Sequence, residues 1–133
     1  MTIKALSLAA VAVSLLAVPA SAHHSFAMFD QEKVVTLTGT VIEYEWINPH
    51  SWLHFTVAGA NGQQQEWSLE LASIGQQLRV GWTATTLKPG DKVTVEFNPL
   101  KDGSRGGTLL AAVLPDGKKL GHGGMTNNPL GRE

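Results

Sequence analysis

Five histidines, at positions 23, 24, 50, 54 and 122, carry most of the chemistry open to this sequence, which has no cysteine. His23 and His24 follow directly on Ala20-Ser21-Ala22, a small-x-small pattern of the kind at which export signals are cut. Cleavage after Ala22 would leave His23 with a free α-amine beside its own imidazole. Free groups of these two kinds have pKa values of about 7.7–8 and about 6.5, so near neutrality a metal ion competes with few protons for them. Nitrogen donors suit copper, and copper(II) heads the divalent affinity order, which makes copper the expected ion. A third donor could come from His50. A local alternative uses the amide and imidazole of His24. With no thiolate available, any metal site must draw on His, carboxylates, the amine or Met sulfur. The plainer alternative is that His23 and His24 are polar residues on a frayed terminus.

His50 follows Pro49 and opens an alternating run in which His50, Trp52 and His54 share one face while Leu53, Phe55 and Val57 take the other. His50 and His54 stand four residues apart, about 13 Å along a strand, so they are not expected to share one ion. Glu66, Ser68 and Glu70 alternate with Trp67, Leu69 and Leu71 on the next run, which would set a carboxylate beside His54 or Trp52. Such a pair either raises the imidazole pKa or is simply a surface cross-strand contact. His122 and Met125, in a glycine-rich stretch, could be auxiliary soft ligands.

These residues need a scaffold, and the rest of the chain describes one. Lys4 followed by the apolar run from Leu6 to Ala17 completes an export signal over residues 1–22. Removing 22 of the 133 residues leaves 111, enough for one domain with one core. Only Lys4 is lost with the signal, leaving nine Lys and Arg against eleven Asp and Glu. A charge near −2 without a basic block argues against nucleic acid, and no later apolar run is long enough to span a membrane. The expected product is a soluble protein of the bacterial periplasm, with a lead-in at 23–33, a domain at 34–120 and a flexible tail at 121–133.

Within the domain, Val35, Leu37, Gly39 and Val41 share a face, and the apolar phase then shifts to Ile42, Tyr44 and Trp46. A one-residue shift of phase predicts a bulge or bend in a long first strand, eased by Gly39. Two strands follow around Gly59-Ala60-Asn61-Gly62. Ser73 caps a short helix holding Ile74 and Leu78 and stopped by Gly81. Val93, Val95 and Phe97 mark a fourth strand and Leu109 to Leu114 a fifth. Three strands, one helix and two strands is the order of an OB-fold, an all-β five-stranded Greek-key barrel with a bent first strand. A small β-sandwich is the alternative.

An OB-type face would present Trp46, Asn48, His50, Trp52, His54 and Glu70, with Lys101 and Arg105 from the fourth loop, to a small polar ligand or a partner protein of the envelope. Trp67 and Trp82 are expected in the core. No Gly-x-Ser-x-Gly elbow, His-Glu-x-x-His helix or phosphate loop occurs, so no enzyme is expected.

The segments His23-His24-Ser25-Phe26, Trp46-Ile47-Asn48-Pro49-His50, Leu78-Arg79-Val80-Gly81-Trp82, Leu87-Lys88-Pro89-Gly90-Asp91 and Asp116-Gly117-Lys118 resemble those of a family of small exported bacterial proteins, the domain of unknown function 6152. The resemblance covers nearly all of the mature chain. It implies export and a small barrel, and no activity, substrate or cofactor. A further likeness, of architecture alone, is to periplasmic OB-fold proteins that bind small ligands or cations.

Overall fold

The computed structural model describes residues 26–123. The expected export signal, His23, His24 and Met125 lie outside them. Six strands and one helix form the domain: β1 (Val35–Glu45), β2 (Trp52–Ala58), β3 (Gln64–Glu70), α1 (Ile74–Arg79), β4 (Lys92–Pro99), β5 (Gly106–Val113) and β6 (Lys119–Gly121). The strands lie in the order β3-β2-β1-β4-β5-β6, and a parallel pairing of Ser68, Leu69 and Glu70 with Gly106, Gly107 and Thr108 joins β3 to β5. Strands β1 to β5 therefore close into a five-stranded barrel of OB type.

Closure depends on β1, which pairs with β4 through its first half and with β2 through its second. The shift in apolar phase is a bulge: Val41 pairs with Phe55 and Glu43 with His54, so Ile42 is the extra residue. Ile42 does not join the inward face as its phase predicts; it is exposed, and Tyr44 and Trp46 resume packing against the core. A glycine sits just before the bulge because β2 comes too close for a side chain. A Cβ on Gly39 would fall on the carbonyl oxygen of Thr56 and the ring of Phe55.

The inward parity of the strands places Leu53, Phe55, Leu69, Val93, Val95, Phe97 and Leu109 in one core with Leu71 and Trp82. Each large apolar side chain buried this way contributes about 1.5–3 kcal/mol. Trp67 packs on Phe97 with ring centroids 5.6 Å apart.

Helix α1 begins at the predicted cap: Ser73 accepts from the Gln76 backbone, and the Gln76 side chain returns to the cap backbone. It ends before Gly81, whose φ is 98°. Its buried member is Gln77, while Leu78 is exposed. The groove below α1 is polar, and Gln77 supplies what it needs. Its Nε2 donates to Ser51 Oγ (2.8 Å) and the Ala72 carbonyl (2.7 Å), and its Oε1 accepts from the Tyr44 hydroxyl (3.1 Å). Burial raises the Tyr44 pKa, so that hydroxyl stays a donor.

Both ends of the domain are held. Phe29 is buried and bridges to Leu100, and Asp30 donates to the Pro99 carbonyl. At the other end, β6 is a sixth strand that the sequence reading places partly in a tail. Ala111, Ala112 and Val113 pair with Gly121, Leu120 and Lys119, and the Trp82 indole donates to the Gly121 carbonyl at 2.8 Å. No helix among the described residues is long and apolar enough to cross a membrane.

Candidate functional site

The loop from Trp46 to Ser51 is tied to the β3–α1 junction by its own polar groups. Asn48 Oδ1 accepts from the Ile74 backbone N–H at 2.9 Å. Ser51 donates its N–H to the Ala72 carbonyl and accepts from the Leu71 N–H, which carries the β2–β3 ladder beyond the strand ends. The Asn48–Pro49 peptide in this loop is cis.

So held, the loop sets His50 over the end of β3. His50 Nδ1 lies 3.0 Å from the Leu71 carbonyl and 3.1 Å from Glu70 Oε1. Both neighbours accept, so the ring donates to them through Nδ1–H. Glu70 is buried, with an exposure of 6%. A carboxylate taken that far from water needs a donor, and His50 is one. A histidine oriented through Nδ1 by a carbonyl and a carboxylate is the usual support for an imidazole that ligates through its other nitrogen.

His122 belongs to the same place. The edge of β5 that carries β3 at residues 106–108 carries β6 at residues 111–113, and β6 runs antiparallel to β5. The last residues of β3 and β6 therefore approach each other head to head, and His122 follows Gly121 into that gap. Beyond it, a Cβ on Gly123 would fall on the Gln76 backbone, so the chain leaves the gap pressed against α1. Burial, and after it the neighbouring charge of His50, hold the His122 pKa below the ordinary histidine value. Among the described residues no three His, Asp or Glu side chains group so as to hold a metal ion.

The remaining candidates fall elsewhere. His54 Nε2 lies 2.9 Å from Glu45 Oε1, and its Nδ1 lies 2.7 Å from Ser68 Oγ, so both ring nitrogens are engaged. The expected β3 carboxylate, Glu70, stands opposite Trp52, whereas His54 faces Ser68 and takes its own carboxylate, Glu45, from β1. Trp52 stacks on His54 at 6.5 Å and 14° and is half-buried on the outer face. Trp46 turns toward the barrel instead, packing on Tyr44 at 5.8 Å. The side chain of Asn48 is used to hold α1. Arg105 donates through Nε to the Glu66 carbonyl, four residues and about 13 Å along β3 from Glu70. Lys101 is exposed and donates its backbone N–H to Met28, at the point where the segment leading into β1 crosses the fourth loop.

The structure thus brings together His50 and Glu70, adds His122, and sets Trp52, stacked on His54, directly across from Glu70; His23 and His24 lie outside the described residues. Glu45 and the place of His122 escape sequence reasoning. Glu45 reaches His54 because the bulge re-registers β1, and His122 meets His50 only through barrel closure.

A small OB-type barrel with an oriented histidine at the rim is the class that this fold and site define. The chain belongs to the family of unknown function DUF6152, whose match spans residues 10–111. It matches no curated protein.

Proposed function

We propose that the chain is an exported, non-catalytic protein of the bacterial periplasm that binds a metal ion, copper first, to carry, buffer or sense it. The observation that carries this reading is the Nδ1 of His50 held between the Leu71 carbonyl and Glu70. A carbonyl and a carboxylate on one ring nitrogen are the usual support of a metal-ligating imidazole. His23, with its amine freed by cleavage after Ala22, or His24 supplies further nitrogen donors.

Titration of copper(II) and zinc(II) into the mature protein by calorimetry tests this. One tight copper site is expected, weakened in a protein carrying one extra residue ahead of His23 and weakened again by His50→Ala. Glu70→Gln should cost about 10–100-fold in affinity through loss of the support to His50. Copper binding no tighter in the native protein than in a variant with all five histidines replaced would sink the proposal.

The stacked pair of Trp52 and His54 favours a second reading, an OB-type module that takes a small polar ligand or an envelope protein on the outer face of β2 and β3. In that case Trp52→Ala weakens binding by about 1 kcal/mol or more while copper affinity stays unchanged.

A further inference from the structure

Strand pairing lays out the outer face of β1, β2 and β3 in rows. One row runs Glu45, Trp52, Glu70, and the next runs Glu43, His54, Ser68. Residues opposite one another on neighbouring strands stand about 5 Å apart, so carboxylates flank β2 from both sides. The middle strand supplies rings: Trp52 stacks on His54 at 6.5 Å and 14°, an aromatic ledge along β2. Neither row holds Lys or Arg. Lys92, across from Thr40, and Arg105, bonded to the Glu66 carbonyl, mark the two ends of the following row, that of Thr56.

The three carboxylates of these rows are placed differently. Glu70 is buried beside His50 and acts on the face through its charge. Glu45 accepts from His54, yet its side chain is 35% exposed, and a carboxylate has room for several donors. Glu43 is exposed and has no side-chain partner among the described residues. Carboxylates grouped in this way repel one another, and an arriving cation relieves that repulsion.

We infer that this face docks a basic segment of a partner protein, with an arginine side chain laid against the Trp52–His54 pair and its charge set against Glu43 and Glu45. The inference rests on the second reading above, the outer-face binding module, and deepens it by naming the chemistry of the occupant. Arginine fits better than lysine because its planar guanidinium stacks on an aromatic face while its N–H groups reach carboxylates at the edge. An acidic segment would meet like charge on both sides of β2. A neutral ligand would use the rings and leave Glu43 idle.

The test titrates a capped hexa-arginine peptide into the mature protein by calorimetry, with chelator present to keep metal ions out. Binding is expected to weaken as salt is raised. It should fall about fivefold or more in Trp52→Ala, and about two- to fivefold in Glu43→Gln. Hexa-lysine should bind more weakly than hexa-arginine. Glu32→Gln, which removes the same charge from the exposed segment ahead of β1, should leave binding unchanged. Because Glu43 is exposed, Glu43→Gln keeps the test open even where Trp52→Ala fails to fold. Equal losses in Glu43→Gln and Glu32→Gln overturn the inference, since net charge alone would then account for binding. A neutral disaccharide, maltose, is titrated in parallel. Trp52-dependent binding of maltose without binding of the arginine peptide overturns the inference and leaves the outer-face reading standing. Absence of Trp52-dependent binding for either probe overturns both.

Discussion

Asn48 and Ile74, 26 residues apart in the chain, are joined by a hydrogen bond of 2.9 Å from the Ile74 backbone N–H to the Asn48 side-chain oxygen. The bond satisfies one of the orphan donors at the start of α1 and at the same time anchors the loop that carries His50. Its loss should therefore register twice. Asn48→Ala is expected to lower stability by about 1 kcal/mol, read as a lower urea midpoint. It should also weaken copper binding, by less than His50→Ala does. Asn48→Asp, which keeps an acceptor and adds a charge suited to a helix start, should recover the stability. Unchanged urea curves in Asn48→Ala would show that Ser51 and His50 hold the loop without it.

His54 offers the contrasting case. It bridges Glu45 on β1 and Ser68 on β3, but its side chain and that of Glu45 are 22% and 35% exposed. Polar contacts partly open to water contribute little, so His54→Ala should cost under about 1 kcal/mol. Copper affinity should not move. A loss of copper binding in this variant would place the metal on the outer face of β2 and transfer the site away from His50.

Much of the barrel is legible in the sequence because its signals are local. The change of apolar phase after Val41 marks the bulge, and Ser73 with Gln76 marks the start of α1. What is not legible depends on closure. Leu78 reads as the buried face of α1, yet the groove beneath is lined by the Ser51 hydroxyl, the Ala72 carbonyl and the Tyr44 hydroxyl, so Gln77 fills it. Strand β6 is three residues long and ends in glycine, too short to show a period. His122 is 72 positions from His50, and no spacing rule links them; only the shared edge of β5 does. Lys101 and Arg105 read as part of one face with Trp52, but the fourth loop is engaged by Met28 and Glu66 and stands well along β3 from Glu70.

Gly39 provides a direct test of how the barrel bends. Because a Cβ there would meet the Thr56 carbonyl and the Phe55 ring, β1 can follow β2 only with glycine at this position. Gly39→Ala forces a shift of backbone rather than of a flexible side chain. The expected cost is about 1–3 kcal/mol, seen in the thermal or urea transition. Phe55→Leu in the same background should recover part of it by removing the ring, while the carbonyl clash persists. A Gly39→Ala protein as stable as the native one would mean that β1 and β2 are further apart than this packing requires.

The depressed pKa of His122 gives stability a pH dependence whose sign follows from linkage. In the unfolded chain the group titrates near 6.5, and in the folded protein it titrates lower. Well above pH 6.5 both states are unprotonated and His122 contributes no pH dependence. As pH falls through 6.5 the unfolded chain takes up a proton that the native ring, buried and facing His50, still refuses. Unfolding is then favoured, by up to about 1.4 kcal/mol per pH unit, until the native group also titrates. The metal-free protein in chelator should therefore lose urea stability between pH 7.5 and the lower, folded-state value, with most of the slope below 6.5. His122→Gln, which cannot titrate, should lose less over the same range, so the gap between the two proteins changes with pH. Parallel curves for the native and His122→Gln proteins would show that His122 is not buried in the gap between β3 and β6.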